Sequence, residues 1–156
     1  MAITQAMCTS FKIALLNGEM DFSSDTTQTF KIALYTSAAS LDADTTAYTT
    51  SGEVSETGTN YTAGGKTIIV STAPTNGGSG TTAYLSFKES GAAADTVTWT
   101  DATITARGAL IYKSGGTNPA IAVLNFVNDK TSTAGDFQVQ FPTADASNAI
   151  VRIATP

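Results

Sequence analysis

Acidic pairs are the first groups in this chain to test for chemistry. Asp42 and Asp44 fall in SLDADTT, Asp21 and Asp25 in MDFSSDTT, and Asp95 and Asp101 flank Trp99. Spaced carboxylates of this kind could supply oxygen ligands to a calcium ion, but neither of the first two pairs has the central Gly and terminal Glu of an EF-hand loop. The reading that suits them is that of turn residues whose side chains accept backbone hydrogen bonds. The chain has no histidine, which removes the commonest general base and transition-metal ligand together with the Ser-His-Asp and Cys-His arrangements. A Ser-Lys or paired-carboxylate site stays open in principle, yet no GxSxG, SxxK, HExxH, P-loop or GxGxxG pattern occurs. Cys8 is the single cysteine, so no intrachain disulfide or CxxC metal site is possible, and it reads as a small buried hydrophobe. No catalytic residue, cofactor or metal site is expected, and the chain is not expected to be an enzyme.

Other side chains have types suited to contact. Tyr35, Tyr84 and Trp99 could stack on a sugar, although a lone Trp before a core strand is more often a buried anchor. Tyr48 and Tyr61, in a polar stretch, are expected to be the more exposed rings. Arg107 is the one charge inside an otherwise neutral strand and sits beside Gly108, a residue that in a strand marks a bulge or a close backbone approach. It is expected to lay its stem on the sheet and pair with Asp101 or Asp129; the alternative is an ion pair across a subunit contact.

Composition describes the scaffold that must hold these groups. The 156 residues suit a single domain spanning 1–156, and 42% of them are hydrophobic, enough to build a core. Only 13% are charged, against about 25% in a typical globular chain. Twenty-eight threonines favour pleated, half-buried surfaces, while Gly, Asn and Asp supply turns. The net charge of −5 with scattered basic residues disfavours nucleic acid as a partner. No run approaches the about 20 apolar residues of a membrane span, and the amino-terminal run has no basic region or long apolar core of a secretory signal.

Periodicity then places the elements. Ala6, Met7, Phe11, Ala14, Leu15 and Leu16 approximate a helical stripe between Ile3 and Asn17, closed by Gly18, giving an amino-terminal helix within 1–18 that covers an open face of the sheet or docks on a neighbour. Strands are expected at 30–36, 66–72 (ended by Pro74), 81–88, 96–98, 137–141 and 149–154. The segment from Trp99 to Phe126 reads as two alternating strands around a Gly/Asn/Pro turn, with Ile104, Ala106, Leu110 and Tyr112 on one face. AIAVLNF is apolar on both faces, as in a strand well inside a sheet. Residues 128–136 read as a loop. The polar stretch 37–65, anchored by Tyr48, Val54 and Tyr61, is a long loop of the kind that often carries interactions. About eight strands with regular turn signals predict a mainly β fold, an antiparallel β-sandwich or barrel with one amino-terminal α-helix.

Several runs also carry a family likeness. SFKIALLNGEMDF, TFKIALYTSAASLDADTTAYTTSGEV, YTAGGKT, WTDATITARGALIYKSGGTNPAIAVLNF and FPTADASNAIVRIA resemble a group of small virion proteins of tailed bacteriophages, with ARGALIY and YTAGG the most specific parts. The resemblance implies a non-enzymatic particle component, made in the host cytoplasm and located in the virion. Its foremost form is a capsid decoration (cement) protein that clamps neighbouring capsid subunits; a tail, baseplate or fibre-attachment component is the alternative. Partners would be the major capsid protein or tail proteins, and further copies of the chain in a homo-oligomer. A carbohydrate-binding adhesion module is a third reading. The candidate interaction surface comprises Phe11, Leu15, Tyr48, Val54, Tyr61 and Arg107.

Overall fold

A computed structural model describes residues 2–78 and 80–155. In chain order the elements are β1 (Ala6–Met7), α1 (Thr9–Leu16), β2 (Thr29–Tyr35), β3 (Lys66–Thr75), β4 (Ala83–Glu89), β5 (Thr96–Ala102), β6 (Thr105–Ser114), β7 (Ala120–Thr131), β8 (Gly135–Gln140) and β9 (Val151–Ile153). Seven strands form one nearly closed antiparallel sheet in the order β1-β7-β6-β2-β3-β4-β9, and β5 and β8 pair separately. The expected mainly β architecture with one short helix is therefore the one observed.

Strand register sorts the side chains of the large sheet into two sets. Opposed residues share a face, so the pairs Phe30↔Ile68, Ile32↔Ile111, Leu34↔Ala109 and Val70↔Phe87 put Phe30, Ile32, Leu34, Ala109, Ile111, Ile68 and Phe87 on one side. Phe11 of α1 and Phe22 join this side through ring contacts. Phe22 stacks on Phe30 at 4.9 Å, meets Phe11 edge-on at 5.8 Å, and lies 6.0 Å from Phe87. The helix and the chain after it thus seal this face with aromatic packing. The opposite face carries Ala33, Tyr35, Leu110 and Tyr112, all buried. Both faces of β2 and β6 are covered, which explains their near-continuous apolar runs.

The β6–β7 hairpin lies where the alternation placed it, and Ala120 to Leu124 is buried throughout. Its irregular point is also the expected one. Register passes from Ala106↔Lys130 directly to Gly108↔Asn125, so β7 bulges over residues 126–129. Val127 there takes φ +68°, and its N–H is held by the Asn125 side chain at 2.8 Å. Gly108 is required by proximity: a Cβ would strike the Leu124 carbonyl and come within 2.9 Å of Ile3 Cγ2.

Four expectations need correction. The helix is confined to Thr9–Leu16, because Ile3 bridges to Leu41 and Ala6–Met7 pair with β7; backbone pairing outweighs a loose apolar stripe. Trp99 belongs to β5 and the small sheet, since β5 pairs with β8 rather than continuing into β6. Residues 128–131, expected in a loop, extend β7 opposite Thr105 and Ala106. Pro74 lies within β3 instead of ending it, at an exposed place between the register breaks at Val70, Thr72 and Thr75 where a missing N–H costs little.

Candidate functional site

The densest set of polar groups gathers where the long loop meets β2. β3 pairs with β2 only at Phe30, Lys31 and Ile32, leaving the backbone of Leu34 open on that edge. The loop satisfies it from both sides: Val54 N–H donates to the Leu34 carbonyl at 2.9 Å, and the Tyr61 hydroxyl oxygen accepts the Leu34 N–H at 2.9 Å. A side chain here replaces a ladder bond that the neighbouring strand does not supply.

Glu53 is the hub of this clasp. Its Oε1 accepts the Tyr61 hydroxyl at 2.7 Å and the Gly64 N–H at 2.7 Å, while Oε2 accepts the Tyr48 hydroxyl at 2.6 Å. Tyr48 stacks on Tyr112 at 4.8 Å, and the Tyr112 hydroxyl donates to the Gly64 carbonyl at 2.8 Å. Tyr35 reaches across to donate to the Thr49 carbonyl at 2.6 Å. Burial first, then the adjoining Glu53 carboxylate, hold Tyr35, Tyr48, Tyr61 and Tyr112 above the ordinary tyrosine value, with Tyr112 pushed up to about 12. Gly64 and Gly65 turn the chain into β3 at φ +84° and +70°, and a Cβ on Gly65 would overlap the Ile32 carbonyl.

This geometry binds the loop to its own sheet. Every carboxylate bond just described goes to a group within the chain, and Val54 and Tyr61 are 5% and 3% exposed. The expectation of Tyr61 as an outward ring is corrected: its ring packs on Trp99 at 6.1 Å while its hydroxyl serves Leu34 and Glu53. Tyr48 is half-buried, and Phe11 is fully buried in the aromatic cluster. Val54, Tyr61 and Phe11 therefore leave the candidate interaction surface. Leu15 remains half-buried at its margin. Glu53 had no signal in the sequence, whereas the turn role of Gly64–Gly65 had one in the double glycine after Tyr61, since consecutive positive φ values favour glycine.

A second polar clip joins the two sheets. Lys66 of β3 pairs with Glu89 Oε1 of β4 at 2.6 Å, donates to the Thr98 carbonyl of β5, and lies 6.0 Å from the Trp99 ring. Burial pushes the Glu89 carboxyl up, but hydrogen bonds from Lys66 and the Thr98 N–H, with the lysine charge, bring it below its ordinary value.

The remaining candidates fall into place singly. Arg107 Nη1 meets Asp129 Oδ1 at 3.3 Å, the intrachain partner expected. Asp21 accepts the Ser23 N–H and Asp42 the Asp44 N–H, both at 2.9 Å, which is turn chemistry. Cys8 is buried, and burial first, then Asp42, push its thiol up to about 11, away from the reactive range. Tyr35 and Trp99 are buried, leaving Tyr84 half-buried among the proposed sugar-stacking rings. No group of three or more His, Cys, Asp or Glu residues is placed to hold a metal ion among the described residues, and no helix among them is long and apolar enough to cross a membrane.

An exposed apolar region lies at the opening of the large sheet. β1 and β9 are its two ends, each paired on one side only among the described residues. Between them runs a groove of about 510 Å³ lined by Met7, Lys12, Leu15, Leu16, Arg152 and Ile153 with Ala154. Leu16 is 89% exposed, and Ile13 and Ile153 are each 55% exposed. Two of the molecule's few basic residues stand in this lining, and neither is in an ion pair among the described residues.

The fold is mainly β, with a nearly closed sheet, a clasped loop and an open apolar seam. Comparison with family models, with curated proteins and with solved structures returned no match in any of the three.

Proposed function

We propose that the chain is a non-enzymatic structural protein of a tailed-bacteriophage particle, a capsid decoration protein that stabilises the head by clamping neighbouring capsid subunits. The observation that carries an assembly role is the seam: exposed Leu16 and Ile153 beside two sheet edges that are unpaired among the described residues. Apolar surface of this kind, set among free edges, is what a protein contact covers. The particle comes from the resemblance carried by ARGALIY and YTAGG; within the particle the head is the first choice and the tail the alternative, and the acidic remainder of the surface suits a basic neighbour. A glycan-binding role is less well supported, because Tyr61, Tyr35 and Trp99 are engaged inside the fold.

Copy number per purified particle, measured by quantitative mass spectrometry, tests this reading. A shell protein is present in on the order of hundreds of copies, whereas a tail or baseplate ring holds about six or twelve. A ring-sized number moves the chain to the tail, and absence from particles ends the virion reading.

A further inference from the structure

The seam has a specific chemistry. It is lined by apolar Met7, Leu15, Leu16 and Ile153 together with the cations Lys12 and Arg152. One wall is the edge of β9. This strand pairs with β4 through Val151, Arg152 and Ile153 and, among the described residues, has no strand on its other side. An edge with unused N–H and C=O groups accepts an added strand, and pockets beside it read alternate side chains.

We propose that the seam is a docking site for an extended segment of another protein, in which apolar residues alternate with carboxylates, added antiparallel to β9. The segment's apolar side chains cover Leu16 and Ile153, and its carboxylates meet Lys12 and Arg152. Charge decides the occupant. The chain carries −5 overall, so cations at its apolar opening invite an acidic ligand while the rest of the surface repels one. A second copy docked through the same edge about a two-fold axis would bring Arg152 toward Arg152, a like-charge contact that works against self-pairing. The remaining polar contacts of Arg152 are weak: its Nη1 donates to the Ala146 carbonyl at 3.3 Å, and its charge helps to lower Asp145. This inference rests on the assembly role proposed above and adds the partner's chemistry.

The test is a display library of short peptides in which Val or Ile alternates with Asp, Glu, Ser, Thr or Lys, selected against the whole chain. The expected result is enrichment of Asp- and Glu-bearing sequences, whose binding weakens about tenfold or more with Ile153→Lys or Leu16→Lys. Both positions are exposed, and a circular-dichroism melt confirms that each variant folds. The charge-inverted variant Lys12→Glu with Arg152→Glu should turn the selection toward Lys-bearing peptides, a change that a structural role for these residues would not produce. No enrichment, unchanged charge preference in that variant, or a dimer in light scattering abolished by Ile153→Lys overturns the proposal. A protein abundant in particles whose seam selects nothing keeps the virion role and loses this site. Selection of acidic strands by a protein absent from particles does the reverse.

Discussion

The loop spanning residues 36–65 and the seam between β1 and β9 invert what their compositions suggest. The loop is rich in Thr, Ser, Gly and acidic residues, as an outward surface would be, yet Tyr61 and Val54 bind it to Leu34 of β2 and Glu53 ties Tyr61 to Tyr48 and Gly64 within it. The seam is made from helix and strand residues that resemble core, yet Leu16 and Ile153 face solvent. Polarity by itself does not say which region is open to a partner. What decides is whether the backbone and side-chain groups already have partners, as those of Glu53, Val54, Tyr48 and Tyr61 in the loop do.

Four substitutions or titrations sharpen this contrast. The largest effect is expected at Gly65→Ala, where the added Cβ meets the Ile32 carbonyl and the backbone sits at φ +70°. A loss of about 4 kcal/mol or failure to fold is expected; urea denaturation matching the parent would show that the loop is not clamped at this turn. Next is Glu53→Gln, which weakens a charged acceptor serving two hydroxyls and one N–H. The expected cost is about 2 kcal/mol, with faster proteolysis confined to residues 36–65. Uniform protease resistance would mean that the clasp is dispensable.

Alkaline titration probes the same cluster more gradually. Tyrosine is charged only when deprotonated, so values raised in the fold mean that the folded chain holds these protons more tightly than the unfolded one. The resulting stability is whole below the ordinary value of 10 and drains as pH rises toward and past the Tyr112 value of about 12. Tyrosinate absorbance of Tyr35, Tyr48, Tyr61 and Tyr112 should therefore lag behind that of unfolded chain and rise together with loss of β-structure. Ionisation of all four near 10 in a folded protein would contradict the buried cluster. The smallest effect is expected at Leu16→Lys, within about 0.5 kcal/mol of the parent in thermal melts, because this side chain is 89% exposed. A large loss there would show that the seam is internal support after all.

Much of the scaffold was legible from local pattern. The alternation in TARGALIY and the two-sided apolar run AIAVLNF marked β6 and β7, and Gly108 marked the bulge, because each depends on residues close in sequence. Arg107 found one of its two expected partners, since strands joined by a tight turn bring such charges together. The boundary errors have a common cause. Ile3, Ala6 and Met7 follow a helical spacing, but β7 and Leu41 offer them backbone bonds that only the folded sheet can present. Trp99 likewise left the hairpin because its strand pairs with Phe137, far along the chain.

The loop was the least legible region. Tyr48 and Tyr61 looked exposed because their neighbours are polar, and nothing near them in sequence announces Leu34 as a partner. Local sequence determined the β class, the hairpin, its bulge, the turn role of Asp21 and Asp42 and the absence of histidine chemistry, all of which follow from residue type at short range. Tertiary structure alone decided that β3 stops short along β2, that Glu53 and Tyr61 fill the gap, and that α1 leaves Leu16 beside the open edge of β9. Those outcomes depend on hydrogen bonds and burial between segments distant in the chain, where partner geometry outweighs the polarity of either segment.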